Sequence, residues 1–196
     1  MDYRGSTGYG RKEMMLANHE MGKSMQEDKY DALFWANEQG YVDMDNVCIS
    51  GASYGGYAAM QAATKSPEIF KCIIAYVGVY DLTSSDLRGL QWSELSQPME
   101  YIEKGNPRDP EDYKNLYENS PLFFAENIED PVLIITGRRD SQVRFQETVD
   151  MVNELKKYGK DYQYIIKGEE GHGFRRETAR LELFEDYEKF LAKYLN

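Results

Sequence analysis

A serine in a glycine-rich turn is the first residue of this sequence that suggests a chemical role. Residues 51–57 read GASYGGY, with Ser53 at the centre. The motif follows an apolar run that predicts a strand and opens an alanine-rich segment that predicts a helix, which is the context of a nucleophile elbow. Glycines at 51 and 55 are expected to leave room for the sharp turn that lifts the Ser53 hydroxyl clear of the backbone. Ser53 is therefore predicted to be a nucleophile, with the N-terminus of the next helix facing any negative charge that develops.

A base for Ser53 is predicted in a second glycine-rich loop. The sequence contains two histidines, and His172 lies in EGHGF between the last predicted strand and the last predicted helix. The flanking glycines allow this loop to approach another loop closely. His19 lies among methionine, alanine and glutamate without turn residues, so we interpret it as an ordinary histidine.

Two aspartates are candidates for the acid that orients the base. Asp140 follows the third predicted strand in TGRRDSQV, and Asp81 follows the second in GVYD. Both would lie at the carboxyl edge of a parallel sheet, where such sheets place their sites. Either one keeps the chain order serine, acid, histidine that is typical of α/β-hydrolases. The residues favour Asp140, whose strand would neighbour the His172 loop, and leave Asp81 as the alternative.

The elements that would position these loops alternate between strands and helices. Short apolar runs predict strands, and amphipathic or alanine-rich segments predict helices between them. The predicted strands are 47–50, 72–79, 131–136 and 162–167, and the predicted helices are 25–39, 55–65, 145–158 and 177–195. This order predicts an α/β fold with a mainly parallel sheet flanked by helices. The polar, proline-containing segment 81–129 predicts short helices that form a small cap or rim, or else a plain surface excursion.

Composition excludes several classes of partner. The formal net charge of −11 argues against binding to nucleic acid or to an anionic membrane, since both repel an acidic surface. No apolar run is long enough to predict a membrane span, and the first residues lack the apolar stretch of a secretory signal, so a cytoplasmic location is expected. No cluster of histidine, cysteine and aspartate has ligand spacing, so neither a metal nor a cofactor is expected. Cys48 and Cys72 lie in apolar runs and are interpreted as reduced core thiols.

Five segments together resemble the catalytic domain of the prolyl oligopeptidase family of serine peptidases, with the greatest likeness to its acylaminoacyl-peptidase and dipeptidyl-peptidase branches. They are DYRGSTGYGR (2–11), GKSMQED (22–28), QGYVDMDNVCISGASYGGY (39–57), the Gly-x-x-Asp-x-x-Val loop (137–143) and the Gly-His-Gly-Phe loop (170–174). The resemblance implies a catalytic triad of Ser53, Asp140 and His172, and so selects Asp140 over Asp81. It implies that the N–H of Tyr54 is one oxyanion donor.

Aromatic and apolar residues near these loops are candidates for substrate contact. Tyr57 and Val143 are predicted to bind substrate, and Tyr54, Tyr80 and Trp92 could also line an apolar acyl pocket. Each of the aromatic residues has the alternative of being an ordinary core residue.

The resemblance also implies what this sequence lacks relative to the family. Family members have a β-propeller and an upstream His-Gly-Gly-Pro-like loop that supplies a second oxyanion donor, and neither has a counterpart here. Residues 1–196 are therefore expected to form a partial catalytic domain with a truncated α/β-hydrolase fold. The strand before Ser53 would be an exposed edge, which predicts a homo-oligomer formed through that strand.

The sequence thus predicts a serine hydrolase that cleaves peptide or acyl ester bonds through an acyl-enzyme, with a peptide or a small acyl compound as substrate. Two alternatives remain open at this point. One is a catalytically weak or inactive fragment that serves as an assembly module, because the second oxyanion donor is missing. The other is a small-ester carboxylesterase, because the same triad hydrolyses esters.

Overall fold

Four parallel strands form one sheet in the computed structural model, which describes residues 2–84 and 97–195. The strands are β1 (Cys48–Ala52), β2 (Cys72–Tyr76), β3 (Val132–Gly137) and β4 (Tyr162–Lys167). They lie in the order β1-β2-β3-β4, and each neighbouring pair is parallel. All residues of the two central strands are buried, as continuous apolar runs of valine, isoleucine and leucine dictate. The predicted α/β architecture is confirmed.

Helices precede, separate and follow the strands, and the four predicted helices are confirmed to within two residues at each end. The helices are α1 (Arg11–Met15), α2 (Ser24–Glu38), α3 (Tyr54–Lys65), α4 (Gln97–Lys104), α5 (Pro110–Glu118), α6 (Phe145–Lys157) and α7 (Glu177–Tyr194). Two short 3₁₀ helices lie at Met44–Asn46 and Pro121–Asn127. Within the described residues, no helix is both long and apolar enough to cross a membrane.

The two faces of the sheet carry separate cores, because successive strand residues point to opposite faces. Ile73 and Ile134 face one side, where they pack with α3 and with Met151 of α6. Ile74 and Leu133 face the other side, where they pack with α7. Helices on both faces therefore keep the parallel sheet away from water and hold the carboxyl ends of its strands together at one edge.

The segment that follows β2 differs from the prediction. Strand β2 ends at Tyr76 rather than at residue 79, because Val77 adopts a positive φ of 45° that extended strands do not allow. The described part of the 81–129 segment contains short helices, as predicted. Asp109 caps one of them, α5, by accepting from the backbone N–H groups of Glu111 and Asp112. Residues 85–96, including Trp92, lie outside the described residues.

The two cysteines form a disulfide bond, so the interpretation of reduced core thiols is wrong. Cys48 of β1 and Cys72 of β2 are register partners in adjacent strands, with their Cα atoms 4.7 Å apart. That distance lies within the range that a disulfide spans. Each cysteine by itself resembles a buried apolar residue. The register of two strands that are 24 residues apart makes them a pair.

Strand β1 is an edge of the described sheet, as the sequence predicted. It pairs with β2 on one side, and no described strand pairs with its other side. The first residues do not cover that edge as a strand. Instead they pack on α2, where the guanidinium of Arg4 donates to both carboxylate oxygens of Asp28.

Candidate active site

A strained turn connects β1 to α3 and carries Ser53. Ser53 has φ 56° and ψ −118°, a left-handed backbone conformation that non-glycine residues rarely adopt. Its N–H donates to the carbonyl of Tyr76 at 2.9 Å, which ties the turn to the end of β2. A side chain at Gly51 would collide with the backbone of Gly55. The prediction that a side chain has no room at Gly55 is wrong, since a Cβ there would have no atom within 4 Å. The second crowded position is Gly56, whose Cβ would lie 2.9 Å from the Tyr76 carbonyl oxygen.

The loop between β4 and α7 brings His172 to the Ser53 hydroxyl. His172 Nε2 lies 2.9 Å from Ser53 Oγ across 119 residues of sequence. Gly173 has φ 86°, which a glycine adopts without strain. The next residue, Phe174, donates its N–H to the hydroxyl of Tyr76 at 2.6 Å. Tyr76 thus contacts the elbow through its carbonyl and the histidine loop through its hydroxyl.

Asp140 completes the line of hydrogen bonds. Its Oδ2 lies 2.8 Å from His172 Nδ1, and its side chain is 1% exposed. The other oxygen, Oδ1, accepts from the N–H groups of Gln142 and Val143, both at 2.8 Å. These two donors fix the carboxylate so that Oδ2 faces the imidazole. Asp81 takes no part, since its carboxylate accepts from the N–H and the hydroxyl of Thr83 in a local turn.

The acid loop and the histidine loop are joined backbone to backbone. Arg139 donates its N–H to the carbonyl of Glu170 at 2.9 Å. A Cβ at Gly137 would lie 2.5 Å from the carbonyl oxygens of both Glu170 and Gly171, so the two loops approach as closely as a glycine permits. The buried Glu170 carboxylate in turn accepts from the Arg176 guanidinium and from the N–H of Arg175, which lowers the pKa of Glu170. Glu170 therefore helps to hold the loop that carries His172.

This arrangement has the chemistry of a serine nucleophile. A neutral His172 would accept the Ser53 proton at Nε2, and the Asp140 carboxylate would stabilise the imidazolium that forms. Tyr54 is the first residue of α3, so its N–H has no intrahelical acceptor and is available to an oxyanion beside Ser53. Among the described residues, no group of three or more His, Cys, Asp or Glu side chains could hold a metal ion.

The sequence profile of the prolyl oligopeptidase family matches residues 1–196. The chain belongs to the prolyl oligopeptidase family. Among curated relatives, it is 34% identical to dipeptidyl aminopeptidase BIII of Pseudoxanthomonas mexicana, over 100% of this chain and 28% of the relative. It is 32% identical to dipeptidyl peptidase family member 6 of Caenorhabditis elegans, over 100% of this chain and 26% of the relative. The chain thus spans between a quarter and a third of these proteins.

Solved structures of peptidases share the fold. A puromycin-hydrolysing peptidase of Mycobacterium tuberculosis superimposes with a TM-score of 0.89 at 27% identity, over 99% of this chain and 29% of that one. An acylaminoacyl peptidase in complex with Z-Gly-Gly-Phe-chloromethyl ketone superimposes with a TM-score of 0.84 at 26% identity, over 98% of this chain and 31% of that one. The resemblance of this sequence to the prolyl oligopeptidase family is confirmed.

Within this prolyl oligopeptidase fold, the predicted substrate-contact residues have different environments. Tyr57 is fully buried and its hydroxyl donates to the carbonyl of Asn119 at 2.9 Å, so the prediction that it contacts substrate is wrong. The reason is its place on α3, on the face that packs against the end of α5. Tyr80 is also fully buried. Tyr54 is half-buried and packs against Tyr3 and Tyr57, whereas Val143 is buried beside the Asp140 carboxylate that its N–H contacts. For Tyr54 and Val143, substrate contact stays a prediction.

Sequence reasoning missed two residues that contact the loops of this site, namely Tyr76 and Glu170. Tyr76 and Glu170 lie next to motifs that were recognised, since one ends a strand beside the elbow and the other begins the His172 loop. Their positions relative to those motifs could have indicated a supporting role.

Proposed function

We propose that residues 1–196 are the triad-bearing part of a serine peptidase catalytic domain, with Ser53 as nucleophile, His172 as base and Asp140 as the orienting acid. The observation that carries this proposal is the unbroken line of contacts, 2.9 Å from Ser53 Oγ to His172 Nε2 and 2.8 Å from His172 Nδ1 to Asp140 Oδ2. Both distances are those of hydrogen bonds, so the three side chains are already in position to act together.

The chemistry follows from these positions. Ser53 Oγ attacks the carbonyl carbon of the scissile bond while its proton moves to His172 Nε2, which gives a tetrahedral oxyanion. The bond to the leaving group then breaks, and His172 donates its proton to the departing amine or alkoxide. A water molecule next attacks the acyl-enzyme with His172 as base, and release of the acid restores the Ser53 hydroxyl.

One oxyanion donor in this proposal is the N–H of Tyr54, at the N-terminus of α3. A second donor would come from a segment outside residues 1–196 or from a neighbouring subunit, since the sequence has no counterpart of the family's upstream donor loop. Loss of one such donor typically lowers kcat by ~10²–10³-fold. We therefore expect residues 1–196 by themselves to react at the serine but to turn over slowly.

Peptides are the substrate class that we propose. The relatives are named as dipeptidyl peptidases, a dipeptidyl aminopeptidase and an acylamino-acid-releasing enzyme, and these names support cleavage of peptide bonds. Small acyl esters are a second substrate class, because the triad attacks their carbonyl in the same way and an alkoxide leaves more readily than an amine.

The experiment that tests the function measures labelling of the serine by a fluorophosphonate probe. The parent chain should be labelled, and Ser53→Ala and His172→Ala should not, because the reagent requires an activated serine. Ser50→Ala is a matched control, since this serine lies three residues earlier on β1. Hydrolysis of a dipeptidyl p-nitroanilide and of a p-nitrophenyl ester then compares the two substrate classes. Labelling of Ser53→Ala at the rate of the parent would contradict the assignment, and a parent that is not labelled at all would favour the assembly-module alternative.

A homo-oligomer formed through β1 is the second part of the proposal. Among the described residues, no strand pairs with the outer edge of β1, and such an edge tends to recruit another strand. A two-fold axis beside β1 would place two copies edge to edge, since symmetric dimers are the commonest assembly. Light scattering should then report a dimer or larger, and a monodisperse species of 22.7 kDa, the mass of one chain, would contradict this.

The disulfide bond bears on the cellular location. The cytoplasmic location expected from the sequence stays a prediction. We propose an oxidising compartment instead, because disulfides such as Cys48–Cys72 persist there and are rare in the cytosol. Alkylation of the protein in freshly lysed cells distinguishes the two, since only reduced thiols gain the mass of the reagent.

A further inference from the structure

A buried glutamate outside the triad holds the segment that follows β2. Glu147 lies in the first turn of α6 and is 4% exposed. Its Oε2 accepts from the N–H of Tyr80 at 2.9 Å and from the N–H of Asp81 at 3.0 Å. A buried carboxylate that serves two backbone donors of a distant segment acts as a fastening between α6 and that segment.

The fastened segment is connected directly to the nucleophile elbow. At its start, the carbonyl of Tyr76 accepts from the N–H of Ser53. Two residues later, Gly78 packs against Gly56 in the first turn of α3. The two backbones are so close that a Cβ on Gly56 would lie 2.9 Å from Gly78 Cα. A shift of the segment away from α6 would therefore move the backbone contacts that support Ser53.

The other end of the fastening belongs to the acid loop. Helix α6 begins two residues after Val143, whose N–H donates to Asp140. A second link runs parallel to the first, since Arg144 donates from Nη2 to the hydroxyl of Ser84 at 2.8 Å. The start of α6 is thus attached on one side to the Asp140 loop and on the other to the segment beneath the elbow.

We propose that Glu147 is a positioning residue: by fixing the Tyr80–Asp81 backbone to the start of α6, it holds the Ser53 elbow and the Asp140 loop at the separation that the triad requires. This role rests on the proposed function of the triad, whereas the fastening of the segment does not. Glu147 contacts backbone N–H groups and none of the triad side chains, so it acts on the triad through the backbone.

The fastening is expected to respond to pH. Burial raises the pKa of Glu147 to about 7, and the nearby Asp81 carboxylate raises it further, while the N–H groups of Tyr80 and Asp81 and the Arg144 guanidinium oppose the rise. The phenol of Tyr80 is buried beside the same carboxylate. Because the folded state holds this proton more tightly than a solvent-exposed glutamate does, the segment should be held most firmly below about pH 4.5 and should loosen as the pH rises through about 7.

The test reads the two backbone amides directly by NMR, so it does not depend on catalysis. In the parent chain, the Tyr80 and Asp81 amide resonances should titrate with a midpoint of about 7. In Glu147→Gln they should lose this titration yet stay protected from exchange, because the amide oxygen still accepts. In Glu147→Ala their hydrogen exchange should rise about tenfold or more, because the acceptor is gone. Glu154→Gln is the matched control on the same helix, where the carboxylate pairs with Lys157 at 2.7 Å on the solvent side.

Two further measurements, the imidazole proton resonance and the rate of labelling, report on the triad. The low-field imidazole proton between His172 and Asp140 should shift in Glu147→Ala and not in the control, and fluorophosphonate labelling should slow by on the order of 10²-fold. Glu147→Gln should restore most of the rate and lose the pH dependence that Glu147 contributes.

Amides that neither titrate in the parent nor change in Glu147→Ala would overturn the fastening. Changed amides with an unchanged imidazole proton would overturn the positioning role. A parent chain that is never labelled would count against the proposed function alone. Should Glu147→Ala fail to fold, the titration in the parent and in Glu147→Gln still decides the fastening.

Discussion

The contact between the acid loop and the histidine loop offers the sharpest test of how the site is positioned. Gly137 ends β3, and a Cβ built there would lie 2.5 Å from the carbonyl oxygens of Glu170 and Gly171. Real Cβ atoms essentially never lie closer than 3.0 Å to such a neighbour, so in Gly137→Ala the histidine loop must retreat by about half an ångström. Backbone strain is not a cause, because Gly137 has no positive φ.

The expected size of the effect follows from the triad distances. A retreat of that size would stretch the 2.9 Å and 2.8 Å contacts of His172 beyond the usual 3.2 Å limit of such hydrogen bonds. Misplacement by about 1 Å typically lowers the rate by ~10²-fold, so we expect a loss of between tenfold and a hundredfold. Overpacking of this kind typically destabilises a protein by ~1–3 kcal/mol, which leaves the chain folded at 25 °C if its stability is ordinary.

The assay is the second-order rate of fluorophosphonate labelling at 25 °C, together with the melting temperature. Gly168→Ala is the control, because it makes the same substitution within the β4–α7 loop itself, at a site where the Cβ has no atom within 4 Å. The control should label at the rate of the parent. Labelling of Gly137→Ala as fast as that of Gly168→Ala would refute the claim that this close approach positions His172.

Two further predictions concern acidic residues. Asp140→Asn should lower hydrolysis by about 10⁴-fold, as in a comparable triad, whereas Asp81→Asn should have little effect because its carboxylate only closes a turn with Thr83; equal losses in the two variants would reopen the choice of acid. Burial, with a smaller contribution from nearby carboxylates, raises the pKa of Asp130 to about 6, and its Oδ2 is buried without a hydrogen-bond partner. The folded state therefore holds this proton more tightly than the unfolded chain, so its contribution to stability is greatest below about pH 4 and is lost as the pH rises to about 6. Asp130→Asn should accordingly raise the melting temperature at pH 8 and not at pH 4. An equal change at both pH values would contradict the raised pKa of Asp130.

The sequence by itself determined the features that depend on local patterning. The short apolar runs and the helical periodicity predicted the strands and the main helices, because the spacing of apolar residues reflects which face each element buries. Ser53 and His172 were identifiable because each lies in a short motif with glycines at fixed offsets. Asp140 needed more than its own neighbourhood, since Asp81 also follows a strand. In the structure the Asp140 carboxylate contacts the imidazole, whereas the Asp81 carboxylate accepts from Thr83.

Tertiary structure decided the features that depend on which distant segments meet. The register of β1 against β2 made a disulfide of two cysteines that each resemble a core residue. Packing against the end of α5 turned Tyr57 into a core residue, although its motif suggested a contact with substrate. Glu147 looks like a surface residue of α6 in the sequence, and its partners, the amides of Tyr80 and Asp81, lie more than 60 residues away. Contacts between such distant segments leave no periodic pattern in the chain, because they depend on how whole elements pack.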